Sequence, residues 1–189
     1  MRILSEHLCE FLPPNAHVLD VGCGNGTIDA LIQQRRPGIS IEGIDVLVHR
    51  SPYITVHRFD GITIPYQSQS FDVVMFVDVL HHTDDPLALL REAARVGKTI
   101  VIKDHFCDGF LARFTLRVMD TVGNACQGIL PYNYWSNREW TEAFTSLGME
   151  TEALKTSLGL YPFPASWLFG RGLHFVAKLR DRKRSVLST

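Results

Sequence analysis

The chain has 189 residues, 46% of them apolar and 21% charged, and its 19 Lys and Arg stand against 20 Asp and Glu for a formal net charge of -1. That balance fits one well-filled globular core and supplies no overall field toward nucleic acid or an anionic membrane, so no nucleic-acid partner is expected. No apolar run approaches the ~20 residues of a membrane-spanning helix, and Glu6, His7 and Glu10 interrupt any secretion signal, so a cytoplasmic protein is expected.

Residues 1–15 are predicted to form an amino-terminal helix. From residue 16, short apolar runs alternate with helical patterns: HVLDVG, then TIDALIQQRRPG; ISIEGID; YITVHRF; FDVVMFV, then DDPLALLREAARVG; and KTIVIKD. The alternation predicts an α/β fold with a parallel sheet and crossover helices. The runs at 71–77 and 98–103 are apolar almost throughout, as central strands covered on both faces should be. Pro37 and Gly38 stop the helix begun near Gly26. Asp85 caps a helix over 86–96 whose first residue is Pro86, and Gly97 is expected to take a positive φ after its last turn. Ser136 and Glu139 have capping-box spacing, Trp140, Phe144 and Leu147 share a face, and Gly148 closes that helix. METEALKT and LHFVAKL bring the count to about seven strands, in a single domain over 1–189.

Two segments, 104–135 and 158–170, do not fit the repeat; both are rich in aromatics and Pro and are expected to flank a substrate. Tyr161, Phe163, Trp167 and Phe169 predict a pocket for an apolar or aromatic small molecule, while core packing or a homodimer interface accounts equally well for any one of them. Arg113 and Arg117 form an i, i+4 pair that suits either an anionic head group or a solvated helix face. The basic run Lys178, Arg180, Arg182, Lys183, Arg184 reads as a solvated tail, with 181–189 beyond the last strand. Cys9, Cys23, Cys107 and Cys126 contain no C-x-x-C pair, so no zinc site or redox dithiol is expected.

The first strand runs into Val18-Leu19-Asp20-Val21-Gly22-Cys23-Gly24-Asn25-Gly26-Thr27, a glycine turn that lets a ligand approach the backbone. Its G-x-G-x-G spacing, with Thr27 where a dinucleotide fingerprint needs Gly or Ala, argues against a cradled pyrophosphate, and a carboxylate at Asp20 would repel phosphate and attract an ammonium. Asp45 ends the second strand, where it can accept from both hydroxyls of a ribose, and Asp60 ends the third, where it can accept from an adenine amine.

With those residues the chain resembles the class I S-adenosylmethionine-dependent methyltransferases, in particular a small-molecule group of the type-11 methyltransferase-domain kind that includes quinone-biosynthesis enzymes. The matching stretches are VLDVGCGNG at 18–26, EGID at 42–45, FDG at 59–61, SFDVVMFVDVLHHTDDP at 70–86 and KTIVIKD, supported by SNREWTEAFTSLGME at 136–150. The resemblance implies a Rossmann-like seven-stranded, mostly parallel sheet with helices on both faces and the last strand antiparallel. It implies S-adenosyl-L-methionine as cofactor and S-adenosyl-L-homocysteine as product. It places Asp20, Gly22, Gly24 and Gly26 at the amino-acid part, Asp45 at the ribose, Val46 along the adenine, Asp60 and Gly61 at the adenine edge, and the Val77 backbone at the methionyl ammonium.

Methyl transfer from a sulfonium is an in-line displacement, and a base is required only when the acceptor must lose a proton. His81 is the leading candidate base, ahead of His82 and His105, with a structural role for each as the alternative. The adjacent histidines lack ligand spacing, so no metal site is expected. A non-catalytic binding or partner subunit on the same fold and a nucleotide-dependent oxidoreductase are the alternatives. The short segment before the first strand leaves the lid to residues 106–135 or to another subunit.

Overall fold

The computed structural model describes residues 1–48, 53–123, 132–163, 165–170 and 172–182, without the side chains of 120–123 and 168. Cys126, Lys183 and Arg184 lie outside the described residues. Seven strands form one sheet: β1 (His17–Val21), β2 (Ser40–Asp45), β3 (Val56–Arg58), β4 (Phe71–Val77), β5 (Gly97–His105), β6 (Met149–Lys155) and β7 (His174–Asp181), in the order β3-β2-β1-β4-β5-β7-β6. Strands β1 to β5 pair in parallel, and β7 runs antiparallel to both of its neighbours. The expected sheet and its antiparallel last strand are both present.

Six helices accompany the sheet among the described residues: α1 (Arg2–Phe11), α2 (Thr27–Arg35), α3 (Pro86–Val96), α4 (Phe110–Gly123), α5 (Asn137–Ser146) and α6 (Ala165–Phe169). Because successive strand residues point to opposite faces, β1, β4 and β5 feed two cores at once. Leu19, Val74 and Ile100 meet Leu89 and Leu90 of α3 and Trp140 of α5 on one face. Val18, Val73 and Val101 meet Leu4 and Leu8 of α1 and Ile32 of α2 on the other.

The helix starts follow local chemistry. Asp85 accepts from the Ala88 N–H at the head of α3, and Ser136 and Glu139 close a reciprocal capping box at α5. Trp140 then donates its indole N–H to the His105 carbonyl at 3.0 Å, tying α5 to the end of β5.

Three expectations need correction. Gly97 is extended, with φ -109; glycine is required there because a Cβ would stand 2.7 Å from Val74 Cγ2. The strand expected over 53–59 is only β3, three residues long, which leaves Asp60 in the turn that follows. β7 runs through Asp181, so Lys178, Arg180 and Asp181 belong to the strand and not to a tail, and Lys178 and Arg180 pair across the sheet with Glu152 at 3.1 Å and Glu150 at 2.7 Å.

Candidate functional site

A cleft of about 570 Å³ opens at the carboxyl edge of the parallel strands, lined among others by Gly22, Asp45, Val46, Asp60, Gly61, Asp78 and His82. That is where open α/β sheets take ligands, and the volume is in the ordinary range for a small-molecule site. Two surface depressions near Tyr53, of about 560 and 670 Å³, lie away from these acids, against α2 and β3.

The glycine loop is built from three left-handed residues, Gly22, Gly24 and Gly26, with φ +76, +59 and +76. Their surroundings differ. A Cβ on Gly22 would stand 2.5 Å from Val79 Cγ2 and one on Gly26 2.6 Å from Ile54 Cγ1, so these two permit close packing. A Cβ on Gly24 would meet nothing within 4 Å, leaving this stretch of backbone bare. The Gly24 N–H donates to Asp45 Oδ2 at 2.8 Å and the Leu47 N–H donates to Asp45 Oδ1 at 2.9 Å. Asp45 is therefore fixed between the loop and its own strand end, and each oxygen retains a second lone pair for a hydroxyl.

Asp60 Oδ1 accepts from the Ile62 and Thr63 N–H groups at 2.8 and 2.7 Å, and those bonds hold its carboxyl below the usual range. Val46, 45% exposed, and Gly61 stand in van der Waals proximity, the Gly61 Cβ position lying 3.2 Å from Val46 Cγ1. Val77 is half-buried at the end of β4.

Asp20 lies elsewhere than its sequence context suggests. It is 1% exposed, in the core below the loop, and its closest charged companion is Asp29 of α2, itself fully buried. Burial, and then Asp29, push Asp20 well above the usual carboxyl range, and burial pushes Asp29 up to about 6. Both carboxyls are thereby biased toward the protonated form, and Asp20 supports the loop without offering a bare charge to the cleft. The sequence reading missed Asp29; a lone acid inside TIDALIQQR, followed by apolar positions, was the available signal.

The histidines converge on the β4 and β5 side. After β4 the chain turns through Asp78, held at φ +57, into a single 3-10 turn over Leu80–His82. His81, 1% exposed, bonds through Nδ1 to Asp104 Oδ1 at 2.7 Å. The same oxygen accepts from the His105 N–H at 2.8 Å and lies 3.3 Å from His105 Nδ1. Lys103 Nζ donates to Asp78 and lies 3.4 Å from His174 Nδ1, while His105 Nε2 is 3.6 Å from Asp78. Burial alone would raise both acids; the Lys103 ammonium and nearby imidazoles outweigh it at Asp78, and His81 and His105 do so at Asp104, holding both below the usual range. Burial and Lys103 together press His174 down to about 3, which leaves its ring neutral. The structure thus brings His81 and His105 together; His82 alone of the candidate bases lines the cleft.

The segment 132–135 roofs this cluster. Asn133 N–H donates to the His81 carbonyl at 2.8 Å, Tyr134 stacks on His81 at a centroid distance of 5.6 Å, and Tyr132 meets His82 edge-on at 5.6 Å. Helix α4 buries Ala112, Thr115 and Leu116 and exposes Phe110, Phe114, Val118, Arg113 and Arg117. In the second insert Tyr161 packs on His174 and Phe169, whereas Phe163 and Trp167 face solvent, 86% and 75% exposed. No helix among the described residues is long and apolar enough to cross a membrane.

Comparison with known proteins bears on the family and the fold. A family model described as a methyltransferase domain matches residues 2–154. The chain is 31% identical over 97 residues to a ubiquinone biosynthesis O-methyltransferase of Hahella chejuensis, covering 45% of the chain and 40% of that protein. It is 32% identical over 108 residues to the 27-O-demethylrifamycin SV methyltransferase of Amycolatopsis mediterranei, covering 49% of the chain and 39% of that protein. The chain thus matches about two fifths of the length of these curated relatives. An S-adenosylmethionine-dependent methyltransferase structure from Mesorhizobium loti superposes with a TM-score of 0.68 at 16% identity, over 93% of this chain and 96% of that one, a likeness of fold.

Proposed function

Since the chain belongs to the methyltransferase-domain family, we propose that it transfers a methyl group from S-adenosylmethionine to an oxygen of a small, apolar or aromatic acceptor. The observation that carries this reading is the pairing of the bare Gly24 backbone with the doubly anchored Asp45 at the mouth of the cleft. The residues fit the cofactor. Asp45 would hold the ribose hydroxyls, Val46 and Gly61 the flat adenine, and Asp60 the adenine amine, while the loop backbone and the end of β4 at Val77 would face the methionyl portion. The preference for oxygen comes from the Hahella relative, whose name specifies an O-methyltransferase.

Bound S-adenosylmethionine supplies an electrophilic methyl on sulfonium sulfur: the carbon–sulfur bond breaks as the carbon–oxygen bond forms, and the electron pair returns to sulfur. The chain's own work is alignment and exclusion of water. Tyr132 and Tyr134 cover the histidine side of the site, and the buried Asp104 fixes the ring orientation of His81. A hydroxyl acceptor must also lose a proton. His81 is proposed as its destination, with the negative charge of Asp104 stabilising the imidazolium. Calorimetry with S-adenosylhomocysteine tests the cofactor half: one site per chain is expected, and a folded chain that takes up none refutes the reading. Transfer of label from methyl-labelled S-adenosylmethionine to phenolic acceptors tests the other half.

A further inference from the structure

We propose that Asp78, His81, Asp104 and His105 form a binding site for one divalent cation of the Zn²⁺ or Mn²⁺ type at the inner end of the cleft. Each of the four offers one donor atom, and these atoms all lie within 4.8 Å of one another. That spread accommodates the spacing of donors around one ion, roughly 3–4 Å for metal–ligand distances of about 2.0–2.2 Å. Two imidazoles with two carboxylates suit a borderline cation better than Mg²⁺ or Ca²⁺, which prefer oxygen alone.

Two further observations point to a ligand. Asp104 is completely buried, yet His81 Nδ1 and the His105 N–H and ring all address Oδ1, while Oδ2 has no hydrogen-bond partner among the described residues. A buried carboxylate oxygen without a partner is costly, and a cation relieves it. Lys103 pairs with Asp78, whereas Asp104 has only imidazoles as ion-pair partners among the described residues, so a cation at this point would meet a carboxylate that no lysine or arginine reaches. Lys103 then serves as an outer hydrogen bond that orients Asp78, as carboxylate ligands commonly require. Asp78 is held in the left-handed region, uncommon for a non-glycine residue, at the point where the cluster meets the cleft.

The expectation of no metal rested on the His81–His82 pair, and His82 indeed takes no part; the donors come from the end of β4, the turn after it and the end of β5. With the ion bound His81 is a ligand and no longer the proton acceptor, so under the methyl-transfer reading the ion itself would hold the acceptor oxygen and ease its loss of a proton; ion binding does not depend on that reading. The experiment uses the full chain, stripped with a chelator and dialysed against Zn²⁺, Mn²⁺ or Mg²⁺, with elemental analysis and calorimetry. One equivalent of Zn²⁺ or Mn²⁺ per chain is expected, with Mg²⁺ at least tenfold weaker. Asp104→Asn and Asp78→Asn should each lower the affinity at least tenfold, and Asp104→Asn, which lies outside the cleft lining, should still bind S-adenosylhomocysteine. Should Asp104→Asn fail to fold, the ion affinity of the half-exposed Asp78→Asn decides. Folded wild-type chain that binds S-adenosylhomocysteine but retains neither ion overturns the proposal and leaves the methyltransferase reading standing. Unchanged ion affinity in the folded variants overturns it equally, because the ion then sits elsewhere.

Discussion

The two ends of the cleft are built on opposite principles. The β1–β3 end is built from backbone N–H groups and strand-tip carboxylates within short turns: Asp45 takes the N–H groups of Gly24 and Leu47, and Asp60 those of Ile62 and Thr63. At the β4–β5 end, side chains from β4, the following turn, β5 and β7 converge in the interior, roofed by residues 132–135. The first end suits a ligand with fixed chemistry and the second a reaction, because buried, mutually biased ionisable groups can hold and release charge. The contrast also means that substitutions at the first end should act on binding, whereas those at the second act on folding.

The largest expected effect is at the second end. Asp104→Ala leaves the His81 ring and the His105 N–H without their buried acceptor and should lower the unfolding free energy by about 3–5 kcal/mol in urea titrations. Affinity for S-adenosylhomocysteine in the fraction that folds should change less than twofold; a large loss there would dissolve the distinction between the two ends. Asp45→Ala should do the reverse, weakening S-adenosylhomocysteine binding by about 1.5–3 kcal/mol in calorimetry through lost charge-assisted bonds. An unchanged dissociation constant would remove Asp45 from the cofactor site.

Below these comes a pH effect of about 2 kcal/mol from the buried acids under the loop. Asp29 sits at about 6 in the folded chain against an ordinary 3.8. The folded state therefore holds a proton that the unfolded chain has released, and this contribution is complete below about pH 4 and is lost as pH rises through 6. Thermal or urea unfolding of Asp29→Asn against wild type, from pH 4 to 7, should show the variant gaining relative stability by that amount as pH increases. A difference that stays flat over the range would mean that Asp29 is not raised in the folded chain. The smallest effect is expected for Gly24→Ala. Space is available at that position, so only the left-handed backbone is penalised, by about 1–2 kcal/mol, with no clash of the kind Gly22→Ala would produce against Val79. Equal destabilisation by the two substitutions would show that both glycines serve packing alone.

The first end was legible in the chain because its chemistry is local. A glycine turn after an apolar run, an acid closing the next run, and another after the third are encoded within a few residues each, and the structure sets Gly22, Asp45, Val46, Asp60 and Gly61 along one cleft. Capping pairs were legible for the same reason, as Asp85 and Ser136 show. The roles of Asp29, Asp78, Lys103, His174 and Tyr134 were not, because each depends on a partner at least nine residues away that no spacing rule connects to it. Gly97 illustrates the limit from another side: its place after a helix suggested a backbone sign, while the reason for glycine there is the Val74 side chain of a neighbouring strand.

By itself, then, the sequence determined most of the strands and helices, that the strands lie parallel with crossover helices, and which glycines and strand-end acids border one cleft, since hydrophobic period, caps and glycine turns act over a handful of residues. Only the tertiary structure decided that two carboxyls pair beneath the loop, that three histidines, a lysine and two acids meet at one strand edge, and that residues 132–135 close over them. Those outcomes depend on the order β1-β4-β5-β7, which sets side chains from distant parts of the chain against each other in an interior where every charge needs a partner.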